Sequence, residues 1–223
     1  GVRLVGSEMC IRDSIKFKDL KNTNELIEAY SKSSFQARKI GEGAKLYKKE
    51  LNRGTTIIWS LAGSIFSAGL RELVIDSVRK NLVDCLVCTG ALFEQDMLEA
   101  LGYNHYVQTE EIEDKTLQNL LIDRIYDHLL DEIELQHVDE TYKKIAKQMD
   151  SGNYSSREFM EYCGKWLSNV KDANDSVILA AYEMNVPIFI PAINDCSIGI
   201  GLAMNQSEAV SYTHLRAHET YTY

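Results

Sequence analysis

The residues that could do chemistry fall in a few short stretches. Ala62 to Gly69 reads AGSIFSAG, small residues between an apolar run and a helical pattern. Such a loop leaves backbone N–H groups free beside a helix N-terminus of partial positive charge, which suits a phosphate or cofactor. It lacks the G-x-G-x-x-G spacing, so the residues alone leave a plain strand-to-helix turn open. Thr89-Gly90-Ala91 closes a second apolar run, and small residues there let a ligand approach the backbone. Glu94 falls in the first turn of the next helix, as a ligand contact or as a carboxylate favoured by the macrodipole. Asp195 lies just past a third run, where a carboxylate can reach a hydroxyl or an amine. It can equally be a turn-forming aspartate that satisfies local N–H groups.

Other candidates read as structure. Cys85 and Cys88 form a C-x-x-C on a predicted strand, where residues i and i+3 point to opposite faces. They are expected to be core cysteines rather than a redox or metal pair. His105 and His128 stand alone, with no partner to argue for catalysis. His214 and His218 have i, i+4 spacing without a third ligand, so no metal site is assigned. Asp123, Asp127, Asp131 and Glu134 are expected on the solvated face of a long helix. Trp59 and Trp166 read as core.

The composition narrows the class. A chain of 223 residues, 45% of them hydrophobic, suits one domain with a sizeable core. A net charge of −9 argues against a nucleic-acid partner, whose footprint is basic. No apolar run approaches the ~20 residues of a membrane span, and no secretory signal pattern stands at the start. Five scattered cysteines suit a reducing compartment.

The elements that must hold the candidates alternate between strand and helix. Thr55 to Leu61 is β-branched and apolar, the pattern of a strand buried on both faces. Leu70, Val74, Ile75 and Val78 give the next helix its apolar stripe. Val83 to Val87 is a second strand, which makes a right-handed βαβ unit. Val186 to Pro191 is a third strand. Upstream, helices are expected over Phe17 to Lys32, with Leu20, Leu26, Ile27 and Tyr30 apolar, and over Phe35 to Leu51. The second should turn Phe35, Ile40, Ala44 and Tyr47 inward and close at Gly54. Downstream, His105 to Val107 is expected extended, and helices follow over Leu117 to Leu135 and Val138 to Met149. Ser155 with Glu158 forms a capping box for another. A helix over Asp172 to Met184, capped by Asp172 or Asn174, and one from Gly199 to Asn205 complete the set. The fold class is α/β with a parallel sheet built from helical crossovers.

The strings SLAGSIFSAGLRE, VDCLVCTGA, ALGYNHY and IDRIYDHLLDE, with SFQARKIGEGAKLYKK before them and PIFIPAINDCSIGIG after, occur in this order. Together they resemble the deoxyhypusine synthase family over roughly Asn22 to Gln206. The resemblance implies a Rossmann-like parallel sheet with helices on both faces, cut short at its C-terminal side. It implies NAD as cofactor, lined by Gly63, Ser64, Ile65, Phe66 and Ser67, by Thr89, Gly90 and Ala91, and by Gln95 and Asp195. Glu94 and Gln95 stand where the family has acidic residues near ribose and polyamine. Gln95 departs from the acidic pair of the eukaryotic enzymes; its amide can bond ribose hydroxyls but brings no charge to an ammonium. The family often has a second aspartate a few residues past Asp195, and Gly199-Ile200-Gly201 stands there instead.

For the intact protein the resemblance implies a cytoplasmic homotetramer that moves the aminobutyl group of spermidine to a lysine of the translation initiation factor 5A precursor. Homospermidine synthase-like transfer to a diamine, or a non-catalytic NAD-fold fragment, are the alternatives. The family's catalytic lysine lies further downstream than this chain reaches, so no catalytic residue is assigned; Lys165, next to Trp166, does not match its motif. Val5 to Ser14 and Ala209 to Thr220 resemble translated sequencing-adapter sequence. The expected division is therefore 1–14 and 208–223 as artefactual ends around a partial synthase-like domain over 15–207.

Overall fold

Apolar β-branched runs between helical patterns fold here as the alternation predicts. A computed structural model describes residues 15–16, 18, 20–150, 152–206 and 214–215. The expected artefactual ends, apart from the backbone of His214 and Leu215, lie outside the described residues, as do Phe17 and His218. The chain divides into two compact units, Gly1–Thr56 and Ile57–Tyr223.

The first unit is a helical hairpin of α1 (Thr23–Ser31) and α2 (Phe35–Arg53). Asn22 caps α1 by accepting the N–H of Glu25 at 3.0 Å, which sets the start later than Phe17. Gly54, at φ 68°, closes α2 as expected. The inward face of α2 is not the expected one. Phe35 is 85% exposed and Ile40 54% exposed, Ala44 is also exposed, and Tyr47 is half-buried. The hairpin instead closes on Gly41, where a Cβ would overlap the backbone of Ser31. Close approach of the two backbones, rather than the large side chains, decides the packing.

The second unit is built on a parallel sheet. β1 (Ile58–Leu61) leads through a wide turn over Phe66–Leu70 into α3 (Arg71–Arg79). β2 (Cys85–Cys88) then leads into α4 (Gly90–Ala100). Ile58 to Leu61 pair in register with Cys85 to Cys88. Val74, Ile75 and Val78 are buried as the stripe predicts, while Leu70 is exposed. β1 is not buried on both faces as expected: Ile58 is 61% exposed.

The largest departure lies between Leu117 and Leu135. β3 (Tyr106–Val107) and the short α5 (Asp114–Asn119) are followed by a hairpin of β4 (Ile122–Ile125) and β5 (His128–Asp131), and only then by α6 (Glu132–Lys147). The strands form an antiparallel sheet, β3-β5-β4. Leu121 and Tyr126 take φ of 55° and 58°, which no helix passes through. Asp131 then caps α6 through the N–H groups of Ile133 and Glu134. The expected helical face of carboxylates is thus split between a strand, a turn, a cap and a first turn. The four-residue spacing of the leucines and isoleucines fits a helix by coincidence.

β6 (Asn153–Tyr154) precedes α7 (Ser156–Leu167), which carries the expected capping box between Ser155 and Glu158. α8 (Val177–Glu183) starts later than expected, under Ser176. Asp172 is left-handed at φ 67°, and the Asn174 N–H donates to the Ala100 carbonyl, so neither caps the helix. β7 (Ile188–Phe189) pairs parallel with the other side of β2, giving the order β1-β2-β7. A 3₁₀ turn, Ile193–Asp195, leads into α9 (Ser197–Gln206), and β8 (His214–Leu215) pairs with β6. α3 packs on α8 and α8 on α7, while α4 packs on α6 and both meet α9. Trp59 and Trp166 pack half-buried against the core, as expected.

Candidate functional site

A parallel sheet presents its ligand crevice beyond the carboxyl ends of its strands. Here those ends carry the Ala62–Gly69 loop, the Thr89 turn and the Ile193–Cys196 turn. Gly63 has φ 76° and open space around it, a conformation that disfavours any side chain. The loop then dives inward: Ser64 and Ile65 are half-buried, Phe66 and Ser67 buried, and Phe66 meets Phe93 of α4 edge-on at 6.4 Å. The hydroxyl of Ser67 is buried without a hydrogen-bond partner.

α4 gathers the three segments. Gln95 is 5% exposed, and its Oε1 accepts the N–H of Ser67 at 3.2 Å. Glu94 Oε1 accepts the Ser197 hydroxyl at 2.7 Å and the Ile198 N–H at 3.1 Å, so it holds the start of α9. Gly90 is buried, and a Cβ on it would overlap the Cys196 side chain. Its smallness therefore serves the packing of the Thr89 turn on the Asp195 turn. The Thr89 N–H donates to the Leu61 carbonyl, which joins the ends of β1 and β2. Thr89 is exposed, Ala91 half-buried, and no side chain caps α4. Asp195 ends the 3₁₀ turn beside them.

The sequence reading does not single out Asp139, Ser197 or Asp96, which the structure places beside these segments. Asp139 of α6 lies 2.9 Å from the Ser197 hydroxyl. Burial pushes its carboxyl above the ordinary aspartate value, the Ser197 hydrogen bond opposes this, and the charge of Glu94 adds to it. Ser197 sits in INDCS without any signal of its own. Asp96 was legible in principle, as an aspartate among Leu92, Phe93, Met97 and Leu98. It is fully buried and accepts from Arg71 Nε at 2.7 Å and from the N–H groups of Val177 and Ile178.

The remaining chemistry-bearing side chains lie as follows. Cys88 is buried and Cys85 half-buried; both are free thiols, and burial pushes Cys88 up to about 12. His105 Nδ1 lies 2.8 Å from Glu99 and His128 Nδ1 2.7 Å from Asp127, so each has a carboxylate partner. Among the described residues no cluster of three or more His, Cys, Asp or Glu could hold a metal, and no helix is long and apolar enough to cross a membrane.

A dinucleotide fits what is present: an orphaned buried hydroxyl at Ser67, a left-handed glycine facing open space at Gly63, and an α4 N-terminus that no side chain caps. Comparison with known proteins gives the family. The deoxyhypusine synthase family model matches residues 25–218. A deoxyhypusine synthase-like protein of Elusimicrobium minutum is 40% identical over 203 residues, covering 88% of this chain and 54% of that protein. A Methanosarcina acetivorans protein provisionally named deoxyhypusine synthase 2 is 39% identical over 189 residues, covering 83% and 55%. The chain thus spans about half the length of these curated relatives. An Entamoeba histolytica crystal structure, provisionally a deoxyhypusine synthase, shares the fold at a TM-score of 0.60 and 19% identity, over 92% of this chain and 72% of its own.

Proposed function

This chain belongs to the deoxyhypusine synthase family, and from that premise we propose that it supplies the NAD-binding part of an aminobutyl transferase. The observation that carries the reading is the convergence on α4: Gln95 on Ser67, Gly90 on Cys196, and Glu94 on Ser197 and Ile198, all at the carboxyl edge of the parallel sheet. The backbone of Gly63 to Ser67, the turn Thr89, Gly90 and Ala91, and Asp195 hold the nucleotide. Bound NAD supplies a hydride acceptor for oxidation of an amine carbon.

The residues of the chain do the placing. The N–H groups at the start of α4 favour a phosphate. Gln95 keeps the loop seated by its bond to Ser67. Glu94 brings negative charge beside the Asp195 turn, where a polyamine ammonium is attracted. The substrate in this reading is spermidine, and the acceptor in the intact protein is a lysine of the translation initiation factor 5A precursor. Ile200, where the family often carries a second aspartate, favours a second reading in which the acceptor is a small diamine. The intact enzyme in this reading is a cytoplasmic homotetramer.

Calorimetric titration of NAD into the chain tests the core of this. Wild type is expected to bind, with ADP-ribose competing. Gly63→Val, strained at φ 76°, is expected to lose at least tenfold in affinity while keeping its melting transition. No binding by wild type, or unchanged binding by the variant, overturns the site.

A further inference from the structure

The Ser197 hydroxyl stands 2.7 Å from Glu94 Oε1 and 2.9 Å from Asp139 Oδ1. A serine hydroxyl has one proton to give, and an ionised carboxylate only accepts. Both contacts are hydrogen bonds only when one carboxyl carries a second proton. Glu94 Oε1 already accepts the Ile198 N–H, so the oxygen with room for a proton shared with Ser197 is Asp139 Oδ1. The second proton therefore sits on Asp139. Its O–H donates to Ser197, and the Ser197 O–H donates to Glu94. The groups facing Asp139 agree. Burial, the Glu94 charge from α4 and Glu140 on α6 all raise its pKa, against the Ser197 hydrogen bond and Lys143 of α6. α9 offers no charged residue from Ser197 to Ala203.

The start of α9 is locked to the turn before it. Gly199 abuts the backbone of Ile193 and Asn194 so closely that a Cβ would overlap both. The Cys196 thiol donates to the Ile193 carbonyl at 2.9 Å. A displacement at Ser197 therefore reaches Ile193 to Cys196 and, through Cys196 on Gly90, the Thr89 turn.

We propose that Asp139 is a positioning residue: carrying a proton, it clamps Ser197 onto Glu94 and holds the Asp195 turn in its nucleotide-binding arrangement, so that dinucleotide affinity falls when Asp139 ionises. It acts through Ser197 and does not touch the ligand. The affinity half of this rests on the NAD reading above; the clamp rests on the geometry of the chain alone.

The experiment follows the Ile198 amide by NMR and NAD affinity by calorimetry from acidic to mildly alkaline pH. It compares wild type, Asp139→Asn and Asp139→Ala. The asparagine donates to Ser197 through its amide and cannot ionise. In wild type, the Ile198 signal and its exchange protection are expected to change with pH, and NAD affinity to fall about tenfold as pH rises, the loss of one hydrogen bond to a charged group. Asp139→Asn is expected to be flat in both readouts and to bind as the acidic wild type does. Asp139→Ala is expected to bind weakly throughout. A flat Ile198 signal in wild type, or a wild-type pH profile in Asp139→Asn, overturns the clamp. An Ile198 that titrates as stated with no NAD binding at any pH upholds the clamp and overturns the nucleotide reading with the affinity half.

Discussion

Asp96 and Glu94 lie two residues apart on α4, and each accepts backbone N–H groups at the start of another helix: Val177 and Ile178 of α8 for Asp96, Ile198 of α9 for Glu94. Two residues turn a helix by about 200°, so the two carboxylates leave opposite faces. Their surroundings differ in sign. Asp96 is fully buried, and its charge is answered by the Arg71 guanidinium, which also bonds Glu99 and the Asp175 carbonyl. Glu94 is half-buried and faces another acid, Asp139, across one hydroxyl. The first arrangement pairs a buried carboxylate with a buried guanidinium and fixes the core. The second leaves excess negative charge at the carboxyl edge of the sheet, and on that charge the proposed polyamine site rests.

The contrast breaks first at Asp96. Full burial pushes its pKa up while Arg71 and two amides oppose this, and the carboxyl only accepts hydrogen bonds, as the ionised form does. Asp96→Ala strands the buried guanidinium and uncaps α8, at an expected cost of about 3–5 kcal/mol. Glu94→Ala removes a cap near solvent, at about 1 kcal/mol. Chemical denaturation of both variants measures the gap. Equal losses would show that burial and the cation do not separate the two sites.

Next in size is the packing that joins the turns. Gly90→Val drives a branched side chain into Cys196, and overpacking of this kind costs about 1–3 kcal/mol. Cys196→Ala, added to it, is expected to recover part of the loss, because the sulfur is among the atoms the new side chain meets. A double variant no better than the single would place the strain elsewhere than the contact between the Thr89 and Asp195 turns.

The two regions should also answer pH in opposite directions. Burial raises Glu99 and Asp175, but His105 and Arg71 hold Glu99 below its ordinary value, and Arg79 with the Ser176 N–H does so for Asp175. The stability these two give is present above the unfolded carboxylate range and is lost as pH falls through their folded values. Asp139 is raised, so its contribution is present below its unfolded value and is lost as pH rises through its folded one. Exchange protection at Ile178 and Leu179, relative to the intrinsic rate at each pH, is therefore expected to fall on acidification, and protection at Ile198 to rise. Parallel responses would dissolve the distinction.

The sequence made the βαβ unit legible because its strands are short and β-branched, its helix has a clean stripe, and Gly63 and Gly69 punctuate the turn. It made the capping box at Ser155 legible because that signal is local. The hairpin over Ile122–Asp131 was hidden, since leucines and isoleucines at four-residue spacing mimic a helix and only tertiary contacts choose the strand. Asp139 was hidden for a different reason. On α6 it stands beside Glu140, as any solvated carboxylate does, and nothing local shows that Ser197, 58 residues on, will meet it. The candidate loop positions came from a motif pattern, whereas the bonds that assemble them, Gln95 to Ser67 and Glu94 to Ser197, join segments far apart in the chain.

The smallest effect asks whether Glu94 needs its charge at all. Glu94→Gln keeps an Oε1 that accepts from Ile198 and Ser197, and removes the anion facing Asp139. With that charge gone, Asp139 loses one of the causes that raise it while burial, the largest, remains, so the pH dependence at Ile198 shrinks in part. At neutral pH the loss of stability should stay below ~0.5 kcal/mol, as for a partly exposed charge, because the Ser197 and Ile198 bonds keep their acceptor and lose only its charge. Asp96→Asn is the matched control: it also keeps an acceptor, but it removes the anion that answers Arg71 and must lose far more. Should Glu94→Gln lose as much, the charge at Glu94 is holding the fold as Asp96 does, and the excess negative charge at the sheet edge would no longer point to a substrate.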